Sequence, residues 1–338
     1  MIEEKVKQNM KERNILYMDK APDAYVEVME AVRPQGFNLW YWDKMTEEVR
    51  EEKLPKVHYT INTTFRIKRE LMEKATSLKM IQRTGVGINN IDMDCANELN
   101  IPVAIVPRGN GVAVAEFEIL QMLALLRNLR ELEADTKAGL WPNFKYRDVS
   151  YELDGKTLGF IGFGYIAREV ARRALAFGVK VIYFDLVRAP EEVEKEFNAT
   201  YMSKEDVLRN CDIFCIMVPL VPENRNMIAM NELKLMKKNA IICNCDRGYL
   251  INEDDLYTAL TTGMIAGAAI DTWADEPVDR VIPMFQLKNV IAAPHASPGT
   301  IDTFRKCVTQ ALDNIVRAET TGDPIDIRGT AKKPREVD

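Results

Sequence analysis

The sequence predicts an α/β protein with two domains, each built on a parallel sheet with helices on both faces. Short apolar runs alternate with longer helical patterns along most of the chain, as in repeated βαβ units. At 338 residues the chain is long enough for two domains that each bury a core. Its hydrophobic share of 47% and charged share of 28% are those of a globular protein.

The first third predicts a small α/β domain. Its predicted strands cover residues 14–18, 37–42, 57–61, 79–83 and 103–106, and its helices include residues 23–32 and 68–75. A long helix is predicted next over residues 112–138, where apolar residues recur at helical spacing. Residues 139–152 are rich in aromatic side chains and have no clear periodicity. So many rings need a surface to cover, which is either a second subunit or their own domain.

A second alternating series begins at Lys156. Its predicted strands are residues 157–161, 180–183, 213–217, 240–244, 266–270 and 290–293, with helices at residues 167–177, 204–209, 231–236 and 253–261. Six strands with crossover helices predict one doubly wound sheet. A helix over residues 301–321 follows, and the charged tail from Gly322 is expected to be loosely held.

Charge and cysteine usage restrict the function further. The net charge is −6 and the isoelectric point is near 5.4, which argues against nucleic acid as a partner and favours a small-molecule substrate. Residues 1–13 lack the apolar core of a signal peptide, and no apolar run is long enough for a membrane span, so we expect a cytoplasmic protein. The six cysteines lack paired C-x-x-C spacing, so we predict reduced, buried thiols and no metal site.

The strand predicted at residues 157–161 runs directly into a glycine-rich loop. Gly162 and Gly164, with Ala167 at the third small position, form a G-x-G-x-x-A dinucleotide fingerprint that opens a helix. Gly162 allows the tight turn, and Gly164 lets the main chain approach a pyrophosphate at the helix N-terminus. Asp185 follows the next strand, and a carboxylate there binds a ribose hydroxyl and repels a 2′-phosphate. The loop predicts NAD as the cofactor, although Arg188 lies close enough in sequence to weaken the preference over NADP.

Three residues of useful chemistry each follow a different predicted strand. Arg247 follows residues 240–244, Glu276 follows residues 266–270, and His295 follows residues 290–293. The carboxyl ends of parallel strands face the ligand crevice, so we expect the three to converge. His295 would exchange a proton near neutral pH, Arg247 would bind a carboxylate, and Glu276 would orient the imidazole and raise its pKa. His58, at the start of a strand in the first domain, is expected to be structural.

Together with these residues, further motifs resemble the D-isomer-specific 2-hydroxyacid dehydrogenases, particularly the phosphoglycerate dehydrogenase-like branch. The similarity covers residues 13–320, and its motifs are residues 83–92, 114–116, 162–167, 244–248 and 271–277 and the pair Pro294-His295. It implies two Rossmann-like domains: a smaller, flavodoxin-like substrate-binding domain from residues 13–108 and 296–330, and an NAD-binding domain from residues 109–295. It also implies a homodimer that transfers hydride between NAD and C2 of a small 2-hydroxy or 2-keto acid.

The resemblance further implies a role for each matching residue. The catalytic set would be Arg247, Glu276 and His295, and Asp271 would bind the nicotinamide amide. The main chain of Val86 and Gly87, with Arg247 and His295, would bind the substrate. The implied cofactor contacts are Gly162, Gly164, Tyr165, Ile166, Asp185, Val218, Pro219, Cys245, Arg247, Asp271, His295 and Ser297.

Some positions depart from the pattern of this family. Asp246 replaces a small residue directly before Arg247, and its carboxylate would either compete for Arg247 or point to solvent. The pair Asn62-Thr63 stands where phosphoglycerate enzymes tend to carry Arg-Ser, although Arg66 or Arg83 would offer charge to a phosphorylated substrate. Two other functions remain open: a non-catalytic NAD-sensing scaffold of the corepressor kind, and a dehydrogenase acting on formate or phosphite.

Overall fold

A computed structural model describes residues 12–337. The prediction that residues 1–13 contain no signal peptide falls mostly on residues 1–11, which lie outside the described residues. The strands are β1 Arg13–Tyr17, β2 Phe37–Tyr41, β3 Tyr59–Asn62, β4 Met80–Arg83, β5 Val103–Ala104, β6 Thr157–Ile161, β7 Lys180–Phe184, β8 Ala199–Tyr201, β9 Ile213–Ile216, β10 Ile241–Asn244, β11 Gly267–Ile270, β12 Val290–Ala292 and β13 Ile327–Arg328. The α-helices are α1 Asp23–Ala31, α2 Glu47–Lys53, α3 Arg69–Lys74, α4 Met93–Glu98, α5 Gly111–Leu126, α6 Leu129–Lys137, α7 Tyr165–Ala174, α8 Glu191–Phe197, α9 Lys204–Asn210, α10 Met230–Leu233, α11 Glu253–Thr261 and α12 Ile301–Thr321.

The described chain forms two compact units. One contains the chain up to Asn110 together with the segment from Gly299 onward, and the other is Gly111–Pro298. The first unit has the strand order β13-β5-β4-β3-β1-β2, in which β13 is antiparallel to β5 and the other pairs are parallel. Without β13, this is the flavodoxin-like order 2-1-3-4-5.

The second unit is a parallel sheet with the order β12-β11-β10-β9-β6-β7-β8. The order reverses at β6, as in a doubly wound nucleotide-binding sheet. Apolar residues cover both faces, because side chains alternate along buried strands: Phe214 and Ile242 belong to one core cluster, and Cys215 and Cys243 to the other. The predicted fold class is confirmed for both units.

Several predicted elements differ from the structure. The single helix predicted over residues 112–138 is wrong: α5 and α6 are separate, because Asn128 takes a left-handed φ of 50° and bonds through its side chain to the Val149 carbonyl. The polar helices α2, α4 and α8 and the short strand β8 were not predicted. The tail is also held more firmly than expected, since β13 pairs with β5 and the Asn314 side chain bonds to both main-chain groups of Ile325.

The predicted thiol chemistry agrees with the structure, where all six cysteines are free and buried. His58 accepts a hydrogen bond from the Asn14 main-chain N–H at 3.1 Å, and burial lowers its pKa to about 4. It is therefore a neutral imidazole fixed within the first sheet. Among the residues described, no helix is both long enough and apolar enough to cross a membrane.

Candidate active site

The glycine-rich loop joins β6 to α7. Gly162 has a φ of 87°, and a Cβ there would lie 2.1 Å from the Met217 carbonyl oxygen, so only glycine fits. Gly164 is exposed at the start of α7, and a Cβ there would meet no atom within 4 Å. The main chain therefore leaves open space in front of a helix N-terminus, where a phosphate is favoured. The loop fits a dinucleotide as the sequence predicts.

Asp185 lies at the end of β7 and contacts this loop directly. Its carboxylate accepts hydrogen bonds from the main-chain N–H groups of Phe163 at 2.8 Å and Leu186 at 2.7 Å. Arg188 is instead paired with Glu194, through two hydrogen bonds of 2.8 Å each. The Arg188 guanidinium, which lies close enough in sequence to weaken the preference for NAD, is thus engaged by Glu194.

His295 and Glu276 form a hydrogen-bonded pair beyond β12 and β11, which are neighbouring strands. His295 Nδ1 lies 2.7 Å from Glu276 Oε2, and the other carboxylate oxygen accepts the Trp273 main-chain N–H at 2.9 Å. The Glu276 hydrogen bond raises the pKa of His295, although burial opposes it. Burial alone would raise the pKa of Glu276, but the hydrogen bonds from His295 and Trp273 lower it below its usual value. The pair therefore stabilises an imidazolium whose Nε2 remains for a substrate.

A compact turn after β10 positions Arg247. The buried Asn244 side chain donates to the Arg247 carbonyl at 2.9 Å and accepts the Asp246 N–H at 3.0 Å. Gly248 packs against the turn after β11 so closely that a Cβ would lie 1.9 Å from the Trp273 carbonyl carbon. The turns that carry Arg247 and Glu276 are therefore in direct contact.

Asp246 competes for Arg247, which is one of the two outcomes expected for this residue. Arg247 Nη1 lies 3.3 Å from Asp246 Oδ1 and donates to the Asp246 carbonyl at 2.6 Å. Burial raises the pKa of Asp246 to about 6, although the charges of Arg247 and His295 lower it. The carboxylate is therefore predominantly ionised at neutral pH and attracts the guanidinium.

Comparison with known proteins identifies the family. A sequence profile of the D-isomer specific 2-hydroxyacid dehydrogenase NAD-binding domain matches residues 119–297. The glyoxylate reductase of Aeropyrum pernix is 37% identical over 304 residues, which cover 87% of this chain and 90% of that protein. This chain belongs to the D-isomer-specific 2-hydroxyacid dehydrogenase family. The D-3-phosphoglycerate dehydrogenase of Methanocaldococcus jannaschii is 36% identical, with 80% of this chain and 52% of that protein covered.

Solved structures of this family have the same fold. The NAD-complexed D-isomer specific 2-hydroxyacid dehydrogenase of Lactobacillus delbrueckii ssp. bulgaricus matches with a TM-score of 0.79 and 28% identity, covering 94% of this chain and 100% of that one. A glyoxylate reductase from Paecilomyes thermophila matches with a TM-score of 0.78 and 28% identity, over 94% and 98% of the two chains. The predicted activity is confirmed: the chain is an NAD-dependent dehydrogenase acting on 2-hydroxy and 2-keto acids. These relatives do not favour the scaffold or the formate and phosphite alternatives.

Not every site residue predicted for this dehydrogenase presents its side chain to a ligand. The Asp271 side chain is fully buried, and its carboxylate accepts the main-chain N–H groups of Ala296 at 2.7 Å and Ser297 at 2.9 Å. The Cys245 thiol points into the core, where it donates to Gln121 at 3.3 Å, and Ser297 is only 2% exposed. The Asp271 carboxylate, the Cys245 thiol and the Ser297 N–H are therefore all hydrogen-bonded within the protein.

The structure also shows positioning roles that the sequence did not predict. Asp271 fixes the turn that carries His295, since its carbonyl also accepts the His295 N–H at 2.7 Å. Asn244 fixes the Arg247 turn, and the Trp273 indole N–H donates to the Ala293 carbonyl at 2.8 Å. Each of these residues lies inside a motif noted in the sequence, but residue spacing alone does not show which main-chain group a side chain binds.

In the first unit, Val86 and Gly87 lie in the loop that follows β4. Val86 is 51% exposed, so this loop lies at the surface of its unit. The nearby Arg83 is buried and donates to the Thr63 carbonyl and the Asn90 side chain. Its guanidinium therefore links the loop at Thr63 to the loop at Asn90 and is not available to bind a phosphate.

Proposed function

We propose that this dehydrogenase reduces a small, unphosphorylated 2-keto acid such as glyoxylate, with His295 as the general acid. The observation that carries the proposal is the 2.7 Å His295–Glu276 pair beside the Arg247 turn, at the carboxyl edge of three adjacent strands. In the reverse direction, His295 would accept the proton from a 2-hydroxy acid.

Each residue of the proposed catalytic set has a distinct task. His295 donates the proton from Nε2 to the oxygen that develops at C2, while Glu276 holds the imidazole through Nδ1 and stabilises its charge. Arg247 binds the substrate carboxylate through its planar fork. The main chain of Val86 and Gly87 would also contact the substrate, which gives the predicted domain of residues 13–108 and 296–330 its role in substrate binding.

The region from 109 to 295 would hold the cofactor, which supplies the hydride when bound. Gly162, Gly164, Tyr165 and Ile166 would bind the pyrophosphate, and Asp185 the adenosine ribose. The remaining proposed contacts are Val218, Pro219, Cys245, Arg247, Asp271, His295 and Ser297. The Arg188–Glu194 ion pair supports a preference for NAD over NADP, because this guanidinium is already paired while the Asp185 carboxylate contacts the loop.

The preference for an unphosphorylated acid rests on the loop after β3. The Asp19 carboxylate accepts the main-chain N–H groups of Thr63, Thr64 (2.8 Å) and Phe65 (2.8 Å), and the Thr64 hydroxyl (2.6 Å). Without the Asp19 carboxylate, such a concave set of main-chain N–H groups would be a binding site for an anion. Because a carboxylate of the chain fills it, a substrate phosphate would meet repulsion here.

We also propose that the enzyme is a homodimer that uses residues 139–152. Trp141 is 83% exposed and Phe144 69% exposed, so these rings do not cover the core of their own unit. A second copy would bury them and remove their contact with water. Light scattering on wild type and on a Trp141→Ser, Phe144→Ser variant tests this proposal.

A substrate panel with NADH tests the proposed activity. We expect glyoxylate and hydroxypyruvate to give the highest kcat/KM, and phosphohydroxypyruvate to be poor. Asp19→Ala should improve phosphohydroxypyruvate relative to glyoxylate. His295→Ala should lose about 10²–10⁴-fold in turnover while NADH still binds. Near-wild-type turnover in that variant would exclude His295 as the proton donor.

A further inference from the structure

A second cluster of reactive side chains lies inside the NAD-binding unit, in the core beneath the turn that carries Arg247. Glu118 projects from α5 toward β9 and β10, which carry Cys215 and Cys243. The two cysteines are direct register partners on neighbouring strands. One oxygen and the two sulfur atoms all lie within 4.8 Å of one another, and all three residues are fully buried.

The cluster is polar and makes few hydrogen bonds. Apart from an interaction with the Cys215 thiol, neither carboxyl oxygen of Glu118 has a hydrogen-bond partner, and the amide nitrogen of Gln121, one turn further along α5, has none. A buried ionised carboxylate without a partner costs several kcal/mol. A bound cation would give these buried groups a partner of opposite charge.

The donor types match a particular class of ion. Two thiolates and one carboxylate are typical ligands of Zn²⁺, at about 2.3 Å for sulfur and 2.0–2.2 Å for oxygen. Donors in such a tetrahedral site lie about 3.5–3.8 Å apart, so the cluster needs only small rotamer changes to close on an ion. We propose that Glu118, Cys215 and Cys243 provide three of the four ligands of a buried structural Zn²⁺ ion.

The ligands come from three separate elements, which explains why the cysteine spacing predicted no metal site. Such a site would fasten α5 to the centre of the sheet. It lies below the turn of Asp246 and Arg247, since β10 carries Cys243 and continues directly into that turn. Zn²⁺ bound to the native chain and not to the unfolded chain would raise the free energy of unfolding. The ion has no part in the proposed hydride or proton transfer.

The test must load the metal during folding, because the ligands are closed to solvent in the folded protein. We would express the chain in minimal medium with added Zn²⁺ or Co²⁺, purify it without chelator, and measure metal content and absorbance. We expect one ion per chain, and the cobalt form should show a thiolate-to-cobalt charge-transfer band in the near ultraviolet. Cys215→Ser and Cys243→Ser should lose both signals. Cys211→Ser is the matched control, because Cys211 is equally buried but belongs to the core cluster of the other sheet face.

Glu118→Gln provides a second variant if the serine variants do not fold. As an isosteric neutral amide it should keep the fold but lose metal, and the melting temperature of wild type should exceed that of the variant only when zinc is supplied. Wild type that folds without bound zinc or cobalt would overturn the proposal. So would metal that brief chelator treatment removes without loss of stability, or metal that persists in the serine variants.

Discussion

Replacing Glu276 by Gln tests the proposed proton-transfer pair most directly. The change keeps the shape of the side chain but removes the charge that His295 Nδ1 faces at 2.7 Å. A hydrogen bond to a charged group contributes about 1.5–3 kcal/mol and a neutral one about 0.5–1.5 kcal/mol. Because the two side chains are 38% and 33% exposed, solvent screening places the loss at the lower end, near 1 kcal/mol. That energy corresponds to roughly fivefold in the rate of a step that depends on the imidazolium.

The pH dependence gives the sign of the effect. Reduction of a keto acid consumes protonated His295, so kcat/KM falls as pH rises through the pKa of His295. Glu276 raises that pKa, so in Glu276→Gln the basic limb of the profile should move to lower pH.

The same pair makes the stability of the fold depend on pH. The stability contributed by the raised His295 pKa is fully present below the pKa of the unfolded chain, near 6.5, and is lost as pH rises through the pKa of the folded chain. The stability contributed by the lowered Glu276 pKa is present above its unfolded value, near 4.5. The difference in unfolding free energy between wild type and variant should therefore be largest at about pH 4.5–6.5.

Steady-state rates with NADH and glyoxylate from pH 5 to 9, together with urea unfolding at the same pH values, measure both effects. Asp275→Asn is the matched control: it removes the neighbouring carboxylate, which accepts the Tyr249 hydroxyl at 2.6 Å and is not bonded to His295. An unchanged pH–rate profile in Glu276→Gln, or the same shift in Asp275→Asn, would refute the pairing.

Three further substitutions test the neighbouring contacts. Asp246→Ala should lower the KM for keto acid by about two- to fivefold. The decrease should be larger at pH 8 than at pH 5, because the Asp246 carboxyl ionises near pH 6 and then competes for Arg247. An unchanged KM would exclude this competition. Asp185→Ala should raise the Kd for NADH and bring it closer to the Kd for NADPH, as measured by fluorescence titration with each cofactor. An unchanged ratio of the two Kd values would contradict the role of Asp185. Gly248→Ala should destabilise the chain by about 1–3 kcal/mol in urea unfolding, because its Cβ would overlap the Trp273 main chain; wild-type stability would show that the two turns separate at little cost.

Features that depend on a local pattern of residues could be predicted from the sequence. Apolar runs and turn residues placed the buried strands of both sheets within one or two residues, and the helix Ile301–Thr321 was predicted at both ends. The fingerprint at Gly162 and Gly164 is equally local, because the tight turn and the helix start lie within six residues. Short polar helices such as α2 and α8 were missed, since few of their side chains are buried and their hydrophobic period is weak.

Which atoms come into contact depends on the tertiary structure. The sequence predicted that Arg247, Glu276 and His295 would share one sheet edge, because adjacent parallel strands end together. It could not show that Asp271 binds the His295 turn through main-chain N–H groups, or that Asp19 fills the N–H groups of Thr63 and Thr64. Nor could it bring Glu118 to Cys215 and Cys243, which are far apart in the chain. Such contacts depend on strand order and on the packing of a helix against a sheet, and both follow from burial of the whole core rather than from any local spacing of residues.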